Sequence, residues 1–367
     1  MTPSRQDLAQ YLARDLARLV GSAPGRLAES LAELCRDGAA ATSWRGKALA
    51  ALLLPALATL PVWGGAPLVG TMIAILWLAY AGQAWNLLAG FAGLFSLGHA
   101  IFIGLAAYLA AAFALHGGAG VWFGAVLAVP AAALAGAAVG TLGCRAGFKG
   151  VRFTLVTLVL AEAVRLGALH LDGLGGAAGL SLPHPAAGGK AALFYYVILV
   201  LTGLALVTVR LLLRSRLGYH WLALREDPQA AMAAGIDPYR ARVVAVTISA
   251  ALAAPAGVFL ALYLRHVDPE QTLSLTRSLG PVLGAAIGGV GTLVGPLLGA
   301  VVVVPADQAL SWLIGRSHHD LSALKPLAAG LALVLVAMAA PGGLWPGLAR
   351  RLGLLTPPPS DREDGAG

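Results

Sequence analysis

The sequence predicts an all-α polytopic membrane protein with about 9–10 transmembrane helices, some of them broken or re-entrant at glycine-rich segments. Of its 367 residues 58% are hydrophobic and only 11% are charged. From Ala48 to Cys144 the chain carries no Asp, Glu, Lys or Arg. One crossing needs about 20 apolar residues, so this stretch alone has room for several spans. Because lipid cannot satisfy backbone hydrogen bonds, helices are the expected spanning element.

Apolar segments place the expected spans along the chain. They cover residues 48–63, 67–88, 96–116, 119–143, 153–171, 191–213, 243–264, 278–304 and 326–345. Basic residues in the connections at 145–152 and 214–242 assign these loops, and with them the N-terminus, to the cytoplasm. A single crossing at every segment would leave Arg350 and Arg351 outside. The segment 278–304 is therefore expected to be two shorter segments or a re-entrant one, which gives an even count.

Three regions follow from this layout. Residues 1–46 are charged and carry leucines at helical spacing, which predicts a cytoplasmic amphipathic N-terminal extension. A poorly ordered extension or helices lying on the bilayer surface are the alternatives. Residues 47–349 form the predicted transmembrane domain, with 214–242 as its cytoplasmic loop. Residues 350–367 are expected to be a cytoplasmic tail rich in proline and charge.

Several kinds of chemistry are excluded by what the sequence lacks. It contains no G-x-x-x-x-G-K-[ST] phosphate loop, no H-E-x-x-H and no Cys/His cluster with metal-ligand spacing. Its two cysteines, Cys35 and Cys144, are expected to be inert. The net charge of +8 resides largely in arginines between apolar runs, which indicates membrane topology rather than nucleic-acid binding. We expect no enzyme, no metal site and no cofactor bound by this chain.

Glycine interrupts the apolar run 86–100 at Gly90, Gly93 and Gly98, which predicts a broken helix. Non-helical backbone at membrane depth is tolerated only where it is buried in protein or lines a cavity. The candidates for a translocation path in this run are Asn86, Gly93, Ser96, Gly98 and His99. For the serine and the histidine, hydrogen bonding between neighbouring helices is the alternative role.

Two further patterns lie inside expected spans. Glu162 and Arg165 are three residues apart and can pair on one helix face. This pair is either a self-neutralised brace or part of the translocation path, because charges inside a membrane are usually functional. In segment 278–304, glycines recur every four residues and predict close helix packing at Gly284, Gly288, Gly291, Gly295 and Gly299.

The loop at 223–240 reads A-L-R-E-D-P-Q-A-A-M-A-A-G-I-D-P-Y-R. Pro228 can open a short helix, Gly235 suits a left-handed C-terminal cap, and Pro238 stops any continuation. The small alanine side chains would let this cytoplasmic helix lie in a partner's groove. A solvated helix that touches nothing is the alternative.

This loop resembles the coupling loop of ABC importer permeases. Gln229-Ala-Ala-Met-Ala-Ala-Gly235 is similar to their Glu-Ala-Ala-x-x-x-Gly pattern, with Gln in place of Glu. Within that family the chain resembles the branched-chain amino-acid permeases of the M-subunit type over roughly residues 67–345. The motifs are Gly93-Leu-Phe-Ser-Leu-Gly-His-Ala100, Thr154-Leu-Val-Thr-Leu to Ala161-Glu-Ala163, Arg225-Glu-Asp-Pro228 and Gly288-Gly-Val-Gly-Thr-Leu-Val-Gly-Pro-Leu-Leu-Gly299.

The resemblance implies a permease subunit, with a type II importer-like fold, that imports branched-chain or similar amino acids across the bacterial inner membrane. Its implied partners are a second similar permease, two cytoplasmic ATPase subunits that use ATP and Mg, an extracytoplasmic solute-binding protein and the surrounding lipid. Coupling to the ATPase falls on Arg225, Glu226, Asp227, Gln229, Ala230, Ala231 and Gly235. Urea, amides or aromatic acids are alternative substrates. A passive channel and a polytopic scaffold are alternative functions.

Overall fold

The computed structural model describes residues 55–116, 120–145, 150–182, 191–315 and 342–351, together with residues 327, 328, 330, 331, 334 and 338. Close packing divides the chain into two compact units, one of residues 64–343 and one of residues 1–63 with 344–367. The predicted extension at 1–46 and most of the predicted tail at 350–367 lie outside the described residues. The domain boundaries stay a prediction.

The larger unit is helical. Its helices are α1 Ala66–Asn86, α2 His99–His116, α3 Gly120–Arg145, α4 Val151–Leu169, α5 Ala191–Arg214, α6 Arg216–Glu226, α7 Pro228–Ala233, α8 Pro238–Leu264, α9 Pro269–Thr272, α10 Leu275–Gly288 and α11 Gly295–Gly315. A π-helical turn, Leu87–Phe91, extends α1, and short 3₁₀ turns, Asp172–Leu174 and Gly176–Ala178, follow α4. The strands β1, Leu180–Ser181, and β2, His266–Val267, pair antiparallel, with Leu180 opposite Val267.

In the smaller unit residues 55–63 are helical, and α12 covers Leu344–Arg351. Leu60 and Ala349 are buried there.

Long apolar helices confirm the predicted fold class. Those long and apolar enough to cross a membrane, among the described residues, are Ala66–Phe91, Gly120–Arg145, Ala191–Arg214, Pro238–Leu264 and Gly295–Ile314. Val151–Leu169 and Asp172–Ala178, bent by 91° at their break, form one further candidate. α2 is apolar but shorter. Because the predicted spans at 48–63 and 326–345 lie partly outside the described residues, the total number of spans stays a prediction.

The segment 278–304 is two helices, which is one of the two arrangements expected for it. α10 ends at Gly288 and α11 begins at Gly295, with residues 289–294 non-helical between them. Gly289 and Gly291 have φ of 131° and 76°, backbone conformations that only glycine adopts readily. The fourteen residues of α10 extend about 21 Å, which is short of the roughly 30 Å of bilayer hydrocarbon.

Four glycines bring α10 and α11 into backbone contact. A Cβ added to Gly288 would lie 2.8 Å from Gly299 N, and one added to Gly299 would lie 2.9 Å from Gly288 N. Gly284 and Gly295 stand on the same two facing surfaces, in antiparallel order. The structure therefore places these four glycines in a close helix contact. The same role for Gly291 is wrong, because its left-handed backbone lies in the break.

The central helix pair is α1 and α8, and three side chains tie it together. Trp77 Nε1 donates to the Ala256 carbonyl at 3.0 Å, and Tyr80 OH donates to the Leu252 carbonyl at 2.8 Å. Further along α1, the Ala84 carbonyl accepts a hydrogen bond from Ser249 Oγ of α8 at 2.7 Å. Numbers rise along α1 as they fall along α8, so the two helices run antiparallel. This pair positions the first break, which directly follows α1.

We predict that Gly288→Ala destabilises the chain by about 1–3 kcal/mol, because the added methyl group would overlap the backbone of α11. The measurement is the midpoint of thermal unfolding of the full chain in detergent. Gly203→Ala in α5 is the matched control, since open space surrounds a Cβ at that position. It should leave the midpoint unchanged or slightly raised. Equal midpoints for Gly288→Ala and the native chain would contradict the described packing.

Candidate functional site: two helix breaks and the loop between α5 and α8

The first break lies between α1 and α2. After the π-helical turn Leu87–Phe91, residues 92–98 are non-helical. Gly93 has φ of 70°, which glycine adopts without strain. The helix break expected from the glycine pattern is therefore present, with Gly90 in the π turn and Gly98 at its far end. Its part in translocation stays a prediction.

Hydrogen bonds from other helices satisfy the backbone of this break. Without water, each N–H and C=O group at membrane depth needs a protein partner. The bonds are Trp85 Nε1 to the Ser96 carbonyl (2.7 Å), Thr154 Oγ1 to the Phe95 carbonyl (2.9 Å), Leu97 N to Thr157 Oγ1 (3.1 Å) and Ala100 N to Ser278 Oγ (3.0 Å). Sequence reasoning missed the two threonines, although their i, i+3 spacing on an apolar helix was a usable signal.

Ser96 and His99 are buried in the packing of the break. Ser96 Oγ accepts a hydrogen bond from Gly98 N at 3.2 Å. His99 Nε2 lies 2.9 Å from Ser249 Oγ, the same hydroxyl that donates to the Ala84 carbonyl. The His99 and Ser249 contacts join α1, α2 and α8, so the structure places His99 in the alternative role of hydrogen bonding between helices. The Ser96 hydroxyl instead bonds within the break itself.

The second break, residues 289–294, docks against the first through Asn86. The Asn86 Oδ1 accepts from Gly291 N at 2.8 Å, and its Nδ2 donates to the Thr292 carbonyl at 2.9 Å. A carboxamide has both a donor and an acceptor, so this fully buried side chain serves two backbone groups that α10 and α11 leave unpaired. Asn86 therefore joins the two breaks.

Two further contacts strengthen this junction. Gln83, one turn before Asn86, donates its Nε2 to the Leu293 carbonyl. A Cβ added to Gly90 would lie 2.5 Å from Gly291 N, so the two backbones touch. The breaks form one irregular layer of main chain inside the helical unit.

An arginine from the loop 214–242 completes the layer. Arg225, near the end of α6, donates Nη1 to the Gly90 carbonyl at 2.5 Å. Its stem lies over Gly93, where an added Cβ would be 3.1 Å from Arg225 Cγ, and a Cβ on Gly291 would be 2.9 Å from Nη1. Its other terminal nitrogen pairs with Glu226 at 2.8 Å. Sequence reasoning assigned Arg225 to ATPase coupling but did not foresee that it reaches the membrane breaks.

The short helix predicted in this loop is present as α7, with a cap at each end. Asp227 Oδ1 accepts from Gln229 N at 2.8 Å and from Ala230 N at 3.1 Å, which satisfies first-turn donors. Gly235 has φ of 84°, the left-handed cap expected from the sequence. Both ends of α7 are therefore fixed by local hydrogen bonding.

One face of α7 is exposed and one is buried. The exposed residues are Gln229, Ala230, Met232, Ala233 and Ala234. Ala231 is only 4% exposed, so it packs against its own chain. Its assignment to a surface that lies in a partner's groove is wrong, because successive residues of a helix point in different directions around its axis and Ala231 points inward.

Glu162 and Arg165 form an ion pair, as their spacing predicted, but with a third member. Arg165 Nε donates to Glu162 at 3.0 Å, and its Nη1 pairs with Glu270 on α9. The pair is not self-neutralised, because two carboxylates around one guanidinium leave a net charge of −1. Through Glu270 it nevertheless joins α4 to α9, as the expected brace between helices would. The described hydrogen bonds of this cluster lead to α9 and not to the breaks. No group of three or more His, Cys, Asp or Glu side chains in the described residues could hold a metal ion.

Apolar spans, two docked helix breaks and a capped helix in the loop 214–242 indicate a membrane permease. The chain belongs to the family described as "Branched-chain amino acid transport system / permease component", which matches residues 68–340. The resemblance found in its motifs is confirmed. The chain is thus the permease subunit of an ABC importer, a multi-pass protein of the bacterial inner membrane that transports rather than catalyses.

Relatives are similar over much of the chain. LivM of Salmonella typhimurium, a high-affinity branched-chain amino acid transport system permease protein, is 30% identical over 310 residues, 75% of this chain and 68% of LivM. LivH, a permease protein of the same system in that organism, is 27% identical over 149 residues, 40% of this chain and 46% of LivH. The autoinducer 2 import system permease protein LsrC of Enterobacter sp. is 32% identical over 216 residues, which are 57% of this chain and 61% of LsrC. No solved structure matches the chain.

We predict that Asn86→Asp loses about 1–3 kcal/mol of stability, because a carboxylate cannot donate to the Thr292 carbonyl and a buried acceptor is left unpaired. The measurement is again the midpoint of thermal unfolding in detergent. Gln271→Glu makes the same amide-to-acid change at an exposed position and is the control. A midpoint for Asn86→Asp that equals that of Gln271→Glu would show that the bridge between the breaks contributes nothing.

Proposed function

We propose that this chain translocates branched-chain or similar aliphatic amino acids. In this proposal it works beside a second, similar permease, two cytoplasmic ATPase subunits and an extracytoplasmic solute-binding protein. Its similarity to LivM and LivH, two permease proteins named for one amino-acid transport system, supports both the substrate and the pairing. LsrC is named for a different cargo, so its similarity supports only the importer class.

The observation that carries the proposal is the exposed face of α7. Caps at Asp227 and Gly235 hold this helix in one conformation, and small side chains on its outer face allow close approach of a partner's groove. A passive channel would have no need for such a capped, outward-facing helix. We therefore place the ATPase contact on Gln229 and Ala230, together with the exposed residues that follow them.

The packing of the loops supports a cytoplasmic N-terminus. The basic loops before α4 and α8 belong on the cytoplasmic side, which places the far ends of both helices outside. β1 follows α4, and β2 follows α8. Because the two strands pair, the far ends of α4 and α8 lie on the same side, as this orientation requires. α1 is antiparallel to α8 and so begins outside, and one preceding span would return the N-terminus to the cytoplasm. In this orientation Arg225 and both breaks lie toward the cytoplasmic side.

The test of the substrate is uptake of radiolabelled leucine by cells that co-express the chain with the second permease, the ATPase subunits and the solute-binding protein. We expect more uptake than in cells lacking this chain. Valine and isoleucine should compete with leucine for uptake, and urea should not. If urea or aromatic acids compete better than valine and isoleucine, the proposed substrate class is wrong, but the importer assignment is unaffected. The purified chain alone should show no ATP hydrolysis, and hydrolysis by it would overturn the assignment of that step to partner subunits.

We predict that Gly235→Val uncouples transport from ATP hydrolysis in the assembled importer. A β-branched residue at φ of 84° costs on the order of 1–2 kcal/mol, enough to shift a single-turn helix but not to unfold the spans. Gly235→Asn is the matched control, because Asn tolerates the left-handed conformation. The measurement is the ratio of leucine transported to ATP hydrolysed, with membrane abundance checked by immunoblot. Normal coupling in Gly235→Val would contradict a role for this cap.

We predict that Ala230→Arg also lowers coupling, because it puts a long charged side chain on the exposed face of α7. Ala230→Ser changes the same position without adding bulk and should couple normally. The same transport-to-hydrolysis ratio decides the outcome. If Ala230→Arg couples like Ala230→Ser, the outer face of α7 is not the contact with the ATPase.

A further inference from the structure

Arg225 makes a contact that ordinary packing of a cytoplasmic loop does not require. The loop already holds its position through Trp221, which is fully buried and donates Nε1 to the Ala241 carbonyl of α8 at 2.9 Å. Arg225 reaches beyond this anchor to the Gly90 carbonyl, which lies 135 positions earlier in the chain. Its guanidinium therefore connects α6 to the break after α1.

The acceptor of this bond is a helix C-terminus. Gly90 lies in the π-helical turn that ends α1, where the last carbonyls lack partners within the helix. Such carbonyls carry the negative end of the helix dipole and favour a nearby cation. Arg225 thus caps α1 from another element, and the bond is strengthened by charge.

The second break lies directly beside the same group. Gly291 lies against Arg225 Nη1, and the absence of a side chain at Gly291 leaves the room that the guanidinium fills. Asn86 ties the two breaks together on one side, and Arg225 closes over Gly90 and Gly291 on another. The arginine is the one member of this contact that belongs to the cytoplasmic loop.

The ion pair of Arg225 with Glu226 allows the guanidinium to leave the Gly90 carbonyl. Its carboxylate partner, Glu226, is its neighbour in α6, so the charge remains paired wherever α6 moves. Displacement of α6 would break only the bond to the Gly90 carbonyl. That carbonyl would then need water, and its hydration would accompany separation of the breaks.

We infer that Arg225 is a latch that holds the two breaks closed at the cytoplasmic end of the translocation path, and that movement of α6 with α7 releases it. The inference rests on the proposed function, because the ATPase docked on α7 supplies the movement. α6 moves when α7 moves, because Asp227, the N-cap of α7, comes directly after Arg225 and Glu226 in the chain. Arg225 acts here as a positioning residue and does not need to touch the substrate.

The experiment measures access of water-soluble reagent to the first break and needs no transport. In the full chain with Cys35→Ser and Cys144→Ser, the reporter is Ala92→Cys, a buried position beside Gly93. A membrane-impermeant maleimide is applied to the cytoplasmic face of inside-out membrane vesicles. Arg225→Ala should raise the labelling rate at position 92 by about tenfold or more, as expected for loss of one charge-assisted hydrogen bond.

Two controls separate a latch from general loosening. Arg216→Ala removes the same charge from an exposed position on α6 and should leave the labelling rate at position 92 unchanged. Ala132→Cys in α3 replaces Ala92→Cys as a second buried reporter, and its rate should stay low in Arg225→Ala. An unchanged rate at position 92, or an equal rise at position 132, would overturn the inference. Absence of leucine uptake would instead count against the proposed function, because labelling is measured without any substrate.

Discussion

The structure depends on one constraint: backbone N–H and C=O groups inside a membrane must find partners within the protein. Regular helices meet it by themselves, but the segments 92–98 and 289–294 do not. Several polar side chains inside the helical unit compensate for this. Thr154 and Thr157 serve the first break, and Asn86 serves the second. These polar groups of an apolar chain therefore stand where the helices stop.

This division of roles explains how a sequence with so little charge can define a specific interior. The apolar spans provide most of the contact area, and glycines let α10 and α11 approach to backbone distance. The amides of Asn86 and Gln83 then fix the register of one break on the other. Apolar packing alone would tolerate sliding of one helix along another, whereas a carboxamide that serves two neighbouring backbone groups does not.

Local patterns predicted local features, and they failed where contacts cross the chain. The charge-free run, the glycines of the first break and the C-terminal cap of α7 at Gly235 each depend on neighbours in sequence, and each was predicted. The contact of Arg225 with Gly90 and the addition of Glu270 to the ion pair join residues more than 100 positions apart, so no local spacing encodes them. Ala231 was misassigned because a run of alanines does not reveal which side of a single turn is covered. Gly291 was misassigned because a four-residue repeat continues across a break.

The site that receives Arg225 is built from main chain, with the Gly90 carbonyl as acceptor and bare glycines on either side. A carbonyl is present whatever residue occupies a position, so no substitution can delete it or invert its polarity. Correlated amino-acid changes across relatives would therefore not reveal this contact. Among relatives, this contact would instead appear as positions that are always glycine, next to an arginine whose binding partner is a backbone carbonyl and therefore does not vary.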